Sequence, residues 1–463
     1  MGAGAAVEEA PGGSTLRRLL FHTYHFPPIG GSGAQRPLKL ARYLLESGYQ
    51  PIVVTGGGAT LDRWAPEDQT LTAEIPEELE VWRVPAADEP PGSSRWRGRA
   101  ERWLQIDSAW ARWWIDGSVK IAREVGSDVD LVYVWMQPYD SATAGSRISA
   151  GLKTPWVADL GDPWALDEMM VYPSGFHRRR ELRRMRRLLG TASAVVMSTP
   201  EAVRRLVSAF PELSSKPVVA IPNGFDATDF EDAAPPNSRD DRFRIVHTGY
   251  LHTELGQQYR RTQRLRRALG GSVPGLDILT RSHVFLIEAI NRLLAEDPAL
   301  ADELELHLAG VLTDADRTVA ESCPIARLHG YVTHGESIAL MQSASLLFLP
   351  MQNLPEGTRA TIVPGKTYEY LASGTPILAA VPDGDARDIL DEAGNAILVR
   401  PEDVDAIAAG ILEARDRWRK GASPRPDPNV VRRFEYRTLA RDLAAVFDEA
   451  LAGGRSTSRL RRA

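Results

Sequence analysis

A chain of 463 residues exceeds what one hydrophobic core organises, so two units of about 200 residues each are expected. Its 43% apolar and 25% charged residues are ordinary for a globular protein, and a formal charge of −6 gives no reason to expect nucleic acid as a partner. The single cysteine, Cys323, excludes an intramolecular disulfide and a thiolate zinc site, and fits a reducing compartment. No stretch approaches the ~18 consecutive apolar residues of a membrane span. The expected setting is cytoplasmic, with peripheral attachment at the inner membrane face left open. Only six of the 55 basic residues are lysine, so arginine clusters are read against a raised background.

In chain order, residues 1–15 are rich in Ala, Gly and Glu and read as a disordered leader. From residue 19, short apolar runs alternate with amphipathic segments, the pattern of parallel α/β sheets. A first strand over 19–23 runs into Phe26-Pro27-Pro28-Ile29-Gly30-Gly31, followed by a helix opened by Pro37. Further strands are expected at 51–55, 131–135, 156–159, 194–198 and 218–221, and Thr199-Pro200-Glu201 is a helix start. The acidic segment 226–242, with Pro235-Pro236-Asn237, breaks this rhythm, and 229–242 is taken as the linker between the domains. Strands then recur at 243–248, 304–309, 326–329, 346–350, 377–380 and 396–399, between helices over 282–295, 334–342, 364–373 and 402–415. The expected architecture is two Rossmann-like α/β domains, 16–228 and 243–428, facing a cleft. A last segment, 429–463, holds a helix over 430–451 that crosses back and a basic tail. Ligands of such sheets sit outside the carboxyl ends of the strands.

The most informative segment is Pro364-Gly365-Lys366-Thr367-Tyr368-Glu369-Tyr370-Leu371-Ala372-Ser373-Gly374-Thr375-Pro376. A helix beginning at Pro364 presents free N–H groups and a positive dipole end, which suits a diphosphate, and Lys366 adds a full charge. Glu369 shares a face with Lys366, where a carboxylate accepts from the vicinal hydroxyls of a ribose. A plain helix ion pair between the two, worth a few tenths of a kcal/mol, is the competing reading. Gly365-Lys366-Thr367 mimics the end of a P-loop, but Ala360 stands where that motif needs glycine.

This run resembles the donor-site signature of the retaining GT-B glycosyltransferases, the large family four. The resemblance implies that Glu369 holds the nucleotide's ribose and Lys366 meets the diphosphate. It also implies transfer of a hexosyl group from a nucleotide diphosphate sugar to a glycan, lipid-linked or small-molecule acceptor, retaining, with no metal and no cofactor. Three further pieces follow in family order: Phe26 to Gly31, Asp159-Leu160-Gly161-Asp162-Pro163-Trp164, and Ile221-Pro222-Asn223-Gly224-Phe225-Asp226. Two departures stand out. Many relatives carry a glutamate eight residues before the ribose glutamate; here that position is Thr361, and either Glu356 or the backbone of Ile362 and Val363 would hold the sugar instead. Relatives also clamp the diphosphate with an arginine and a lysine after the first strand of the second domain. Here His247-Thr248-Gly249-Tyr250 is followed by an Arg-rich insertion, 253–279; Arg281, expected to open the next helix, is the first choice, with Arg260 and Arg261 as alternatives.

The remaining candidates are weaker. Gly30, Gly31, Gly249 and Gly365 are assigned to the donor side, where glycine lets a ligand approach the backbone. Gly31-Ser32-Gly33 starts a dinucleotide fingerprint that Arg36 breaks. Asp162, Trp164 and His25 are assigned to the acceptor side. Asp383-Gly384-Asp385 is read as a helix-starting turn rather than a metal pair, and the nine histidines show no ligand spacing. Trp103, Ile106, Trp110, Trp113 and Trp114 share a helical face near many arginines. Packing on the protein's own domain is preferred there to contact with anionic lipid or a pyrophosphate-bearing acceptor. Two rival functions remain: a sugar-nucleotide epimerase on the same scaffold, and a catalytically inert nucleotide-sugar-binding subunit.

Overall fold

The computed structural model describes residues 16–57, 66–88, 90, 95–231 and 242–460. The expected leader, most of the expected linker and the end of the basic tail lie outside them. Seven strands form the first sheet: β1 Arg17–His22, β2 Tyr49–Thr55, β3 Glu80–Arg83, β4 Leu131–Trp135, β5 Trp156–Leu160, β6 Ala194–Met197 and β7 Val218–Ala220. Their order is β3-β2-β1-β4-β5-β6-β7. Six form the second: β8 Phe243–Thr248, β9 Leu304–Ala309, β10 Ala326–Gly330, β11 Leu346–Pro350, β12 Ile377–Ala380 and β13 Ala396–Val399, in order β10-β9-β8-β11-β12-β13. Every pair is parallel. In both sheets the order reverses beside the first strand, at β1/β4 and β8/β11, which opens a crevice at the strands' carboxyl ends.

Central strands read as continuous apolar runs because helices cover both faces of each sheet. The first sheet has Leu20, Val132, Val134 and Trp156 in one core and Leu19, Phe21, Tyr133 and Val157 in the other. That second core is completed by the last helix, Tyr436–Leu460, through Leu439, Leu443 and Phe447. Each such fully buried side chain contributes about 1.5–3 kcal/mol, so the carboxyl-terminal helix is fixed to the amino-terminal sheet, crossing back as expected.

Four expectations change. β3 was missed; it is a four-residue edge strand with partly exposed side chains, not an apolar run. The Arg-rich insertion, given no secondary structure above, contains a helix, Thr253–Ala268. The tryptophan face is divided between Arg95–Leu104 and Ala109–Val125, with Gln105 at φ 49 and Ser108 capping the second helix. Trp114 packs in the core and the partly buried Trp110 and Trp113 pack against it, as preferred, whereas Trp103 and Ile106 are exposed. Asp226, at the start of the acidic segment, is buried and accepts a hydrogen bond from Tyr43 at 2.7 Å, and Thr228–Glu231 is a short helix. Among the described residues no helix is long and apolar enough to cross a membrane.

Candidate active site

A cavity of 510 Å³ lies between the two sheets. Its walls come from the switch points: His25, Gly31 and Gly33 after β1, Trp135 and Gln137 at the end of β4, Thr248 to Tyr250 at the end of β8, and Pro350 of β11. The carboxyl ends of the central strands of both sheets thus converge on one space.

On the second-sheet wall the helix Lys366–Ala372 starts two residues later than expected, with Gly365 as its N-cap. The Thr367 and Tyr368 amides bond to the Pro364 and Gly365 carbonyls, which leaves the Gly365 and Lys366 amides without intrahelical acceptors. Lys366 Nζ lies 3.1 Å from His247 Nε2, and His247 Nδ1 lies 2.9 Å from the Phe348 carbonyl. A carbonyl only accepts, so the imidazole carries its proton on Nδ1 and its Nε2 accepts from Lys366. Burial, helped by Lys366, holds His247 well below its ordinary pKa and so keeps it neutral. Burial, then repulsion from Arg281, pulls Lys366 down to about 7 while Glu369 opposes them. Gly249, at φ +94, is required here: a Cβ would sit 3.1 Å from Lys366 Nζ.

Arg281 also lines the cavity, in the loop before Val284–Glu296 rather than at that helix's start. Its Nη1 lies 3.0 Å from Met169 Sδ and 3.5 Å from Gln352 Oε1, both neutral acceptors. Glu369 Oε1 lies 4.0 Å from His334 Nδ1, whose Nε2 lies 3.0 Å from Asp229 Oδ2; Asp229 in turn accepts from Lys39 at 2.7 Å. Burial works against protonation of His334, but the Asp229 hydrogen bond and the Glu369 charge outweigh it and raise its pKa. The presumed ribose glutamate is therefore held from across the seam. Ile362, Val363 and Gly365 complete this wall.

On the opposite wall, Asp162 lines the cavity within 3.4 Å of Gln137 Nε2. Burial raises its pKa, with Arg281 opposing and Glu168 adding to the rise. His25 and Gly31 face the same space, Gly31 at φ +81 as the N-cap of Ser32–Leu45. Below them Arg36, 1% exposed, donates to Asp159 at 2.8 Å and to the Ile221 and Pro222 carbonyls, which pins the turn carrying Asn223 and Gly224 into the cavity.

Several assignments are corrected. Trp164 does not line the cavity: it is buried, stacks on Tyr139 at 5.1 Å and 4°, and donates to Glu181. Gly30 is also absent from the lining. A Cβ there would lie 2.8 Å from Asp68 Cβ and 2.9 Å from Tyr331 Oη, so its small size serves the seam, where Tyr331 donates to Asp68. Arg260 pairs with Asp277, and both it and Arg261 are exposed outside the cavity. Glu356 is exposed as well. Thr361 faces Glu168, a buried carboxylate of the other wall that accepts from its N–H at 3.1 Å and from its hydroxyl, while Thr199 donates to its carbonyl at 2.7 Å. Asp385 accepts from the Glu201 amide at 2.9 Å, so it too joins the walls, and Asp383 accepts from Gly357. Among the described residues no group of three or more His, Cys, Asp or Glu is placed to hold a metal.

Sequence reasoning missed His247, His334 and Glu168. The first two carried faint signals, standing at the end of β8 and the start of His334–Gln342, both facing the crevice; Glu168 carried none.

Comparison with known proteins agrees with this geometry. The family described as "Glycosyl transferases group 1" matches residues 278–416, and "Glycosyl transferase 4-like domain" matches 31–224. No curated protein matches the sequence. Among solved structures, Anabaena HepE in complex with UDP and glucose is 17% identical, covering 94% of this chain and 99% of its own, with TM-score 0.58. Trehalose 6-phosphate synthase of Burkholderia multivorans is 13% identical over 96% and 100%, TM-score 0.57. A putative UDP-N-acetylglucosamine 2-epimerase of Listeria monocytogenes is 12% identical over 93% and 96%, TM-score 0.52. Transferase and epimerase share this scaffold, so fold alone does not separate them. The two family matches do, since between them they span both walls of the cleft, and the chain belongs to the group 1 glycosyltransferases with the GT-B fold.

Proposed function

We propose that the enzyme moves a hexosyl group from a nucleotide diphosphate sugar to an acceptor entering over His25 and Asp162, with retention and without a metal. The reading rests on Lys366 and Arg281, two cations on one cavity wall whose contacts in the cavity are neutral atoms. When the bond from the anomeric carbon to the diphosphate breaks, negative charge grows on the departing phosphate oxygens. Lys366, Arg281 and the Gly365 and Lys366 amides are prepositioned donors for that charge. Glu369 would hold the ribose hydroxyls, and the backbone of Ile362 and Val363 the sugar. Retention follows from the family resemblance, with the acceptor attacking on the face the leaving group departs. The buried Cys323 and the nucleotide-sugar donor favour a cytoplasmic setting.

Uridine is the first base to test, because HepE was crystallised with UDP and glucose. A thermal-shift screen against uridine, guanosine and adenosine diphosphate sugars should show one class raising the melting temperature, since ligand at 100 Kd adds about 2.7 kcal/mol. Lys366→Ala and Glu369→Ala should then shrink that shift and cripple transfer in folded protein. Normal transfer by both variants would overturn the site. Isomerised donor without any acceptor would instead revive the epimerase, with Asp162 as its acid or base.

A further inference from the structure

Three helices outside the cleft concentrate charge of one sign. Arg95–Leu104, Gly175–Gly190 and Thr253–Ala268 hold four, seven and five arginines, with one glutamate each and no aspartate. Over the whole chain, by contrast, 61 acids outnumber 55 basic residues and the net charge is −6. A raised arginine background adds arginine everywhere but does not remove acids, so these helices are a distinct cationic zone.

The three are neighbours. Arg180 Nη1 donates to the Leu104 carbonyl at 3.1 Å, Gln105 Nε2 to the His177 carbonyl at 2.9 Å, and the Gly175 amide to the Leu269 carbonyl at 2.8 Å. Eight large apolar side chains stand exposed on or beside them, among them Trp96, Trp103, Ile106, Phe176, Leu265 and Leu269, with Trp96 79% and Leu265 64% accessible. Among them Arg179, Arg183, Arg261, Arg264 and Arg267 are exposed, with no carboxylate within 4.0 Å among the described residues.

We propose that this surface docks the enzyme on an anionic phospholipid bilayer. Two observations select that partner together. Arginines without carboxylate partners are attracted to anionic headgroups, each by a factor of roughly five in affinity. Exposed tryptophan, phenylalanine and leucine beside them gain nothing from a nucleic-acid backbone but insert favourably at the headgroup boundary. The surface also borders the cleft: Met169, which touches Arg281, leads through Tyr172, bonded to the Gly271 carbonyl, directly to Phe176. Docking places the seam of the two walls beside the lipid. The inference is independent of the donor-site reading.

The test is co-sedimentation of the full chain with phosphatidylcholine vesicles, with and without phosphatidylglycerol. The protein should pellet only with the anionic vesicles and return to the supernatant at high salt. Arg179→Glu with Arg183→Glu, and the milder Arg179→Gln with Arg183→Gln, should lower partitioning by about twentyfold or more. Trp96→Ser with Phe176→Ser should weaken binding to the same vesicles at unchanged charge. All four positions are exposed, and an unchanged melting temperature confirms folding. Three outcomes overturn the proposal: wild type that ignores anionic vesicles, charge and apolar variants that both bind as wild type does, or capture by homopolymer RNA without vesicle binding.

Discussion

The two walls of the cleft hold the same kinds of cation and use them in opposite ways. On the first-sheet wall, Arg36 and Lys39 are each 1% exposed and each touches carboxylates: Arg36 meets Asp159 at 2.8 Å, and Lys39 meets Glu74, Asp226 and Asp229 at 2.7, 3.0 and 2.7 Å. Burial works against the charge of Lys39, yet Asp229, Asp226 and Glu74 raise its pKa all the same. On the second-sheet wall, Lys366 meets a neutral imidazole and is pulled down to about 7. A cation in direct contact with carboxylates is already neutralised and serves the scaffold. One that faces neutral acceptors keeps its field for a ligand. The residue type is the same; its nearest partner assigns the work.

The sharpest way to break this comparison is to treat Arg36 as a ligand-binding residue. If it is structural, Arg36→Met strands a buried Asp159 and costs about 3–5 kcal/mol in denaturant unfolding. A loss under about 1 kcal/mol would show that the pair does not hold the wall. Lys366→Ala and Arg281→Ala make the opposite case. Each should lower kcat/KM by about 10²–10³-fold, the usual effect of removing a donor to developing negative charge, at a nearly constant melting temperature.

A smaller effect follows from the Lys366 pKa. In the free enzyme the ammonium loses its proton as pH rises through about 7. A diphosphate binds the charged form better, so binding takes up a proton above that pH and donor affinity falls as pH rises. The decline should reach about tenfold per pH unit for one proton, be visible by titration calorimetry, and vanish in Lys366→Met. The smallest effect belongs to Arg260. Paired with Asp277 at the surface, it should tolerate Arg260→Ala with stability changed by about 0.5 kcal/mol or less and donor affinity unchanged. A large loss of donor affinity there would return the diphosphate clamp to the 253–268 helix.

The helix Lys366–Ala372 and the turn at Asn223 were legible because their signals are local. Lys366 and Glu369 are one turn apart, and the Pro-Asn-Gly turn is contiguous. Trp164 and Gly30 were misplaced because residue type does not state direction. A tryptophan beside the cleft stacks inward on Tyr139 as readily as outward on a sugar, and a glycine after a strand yields space to Tyr331 as readily as to a phosphate.

By itself the sequence determined both sheets. Strands β4, β11 and β12 fall where the apolar runs place them, since an inner parallel strand covered on both faces is apolar along its length. It did not determine β3, an edge strand without that constraint. Only the tertiary structure decided that His247 backs Lys366 from 119 residues away, that Glu168 meets Thr361 from 193 away, and that Arg281 rather than Arg260 enters the cavity. Periodicity and capping are read within a turn or two of chain, whereas a side chain's partner is set by how distant elements meet once the two sheets are wound and their carboxyl ends converge.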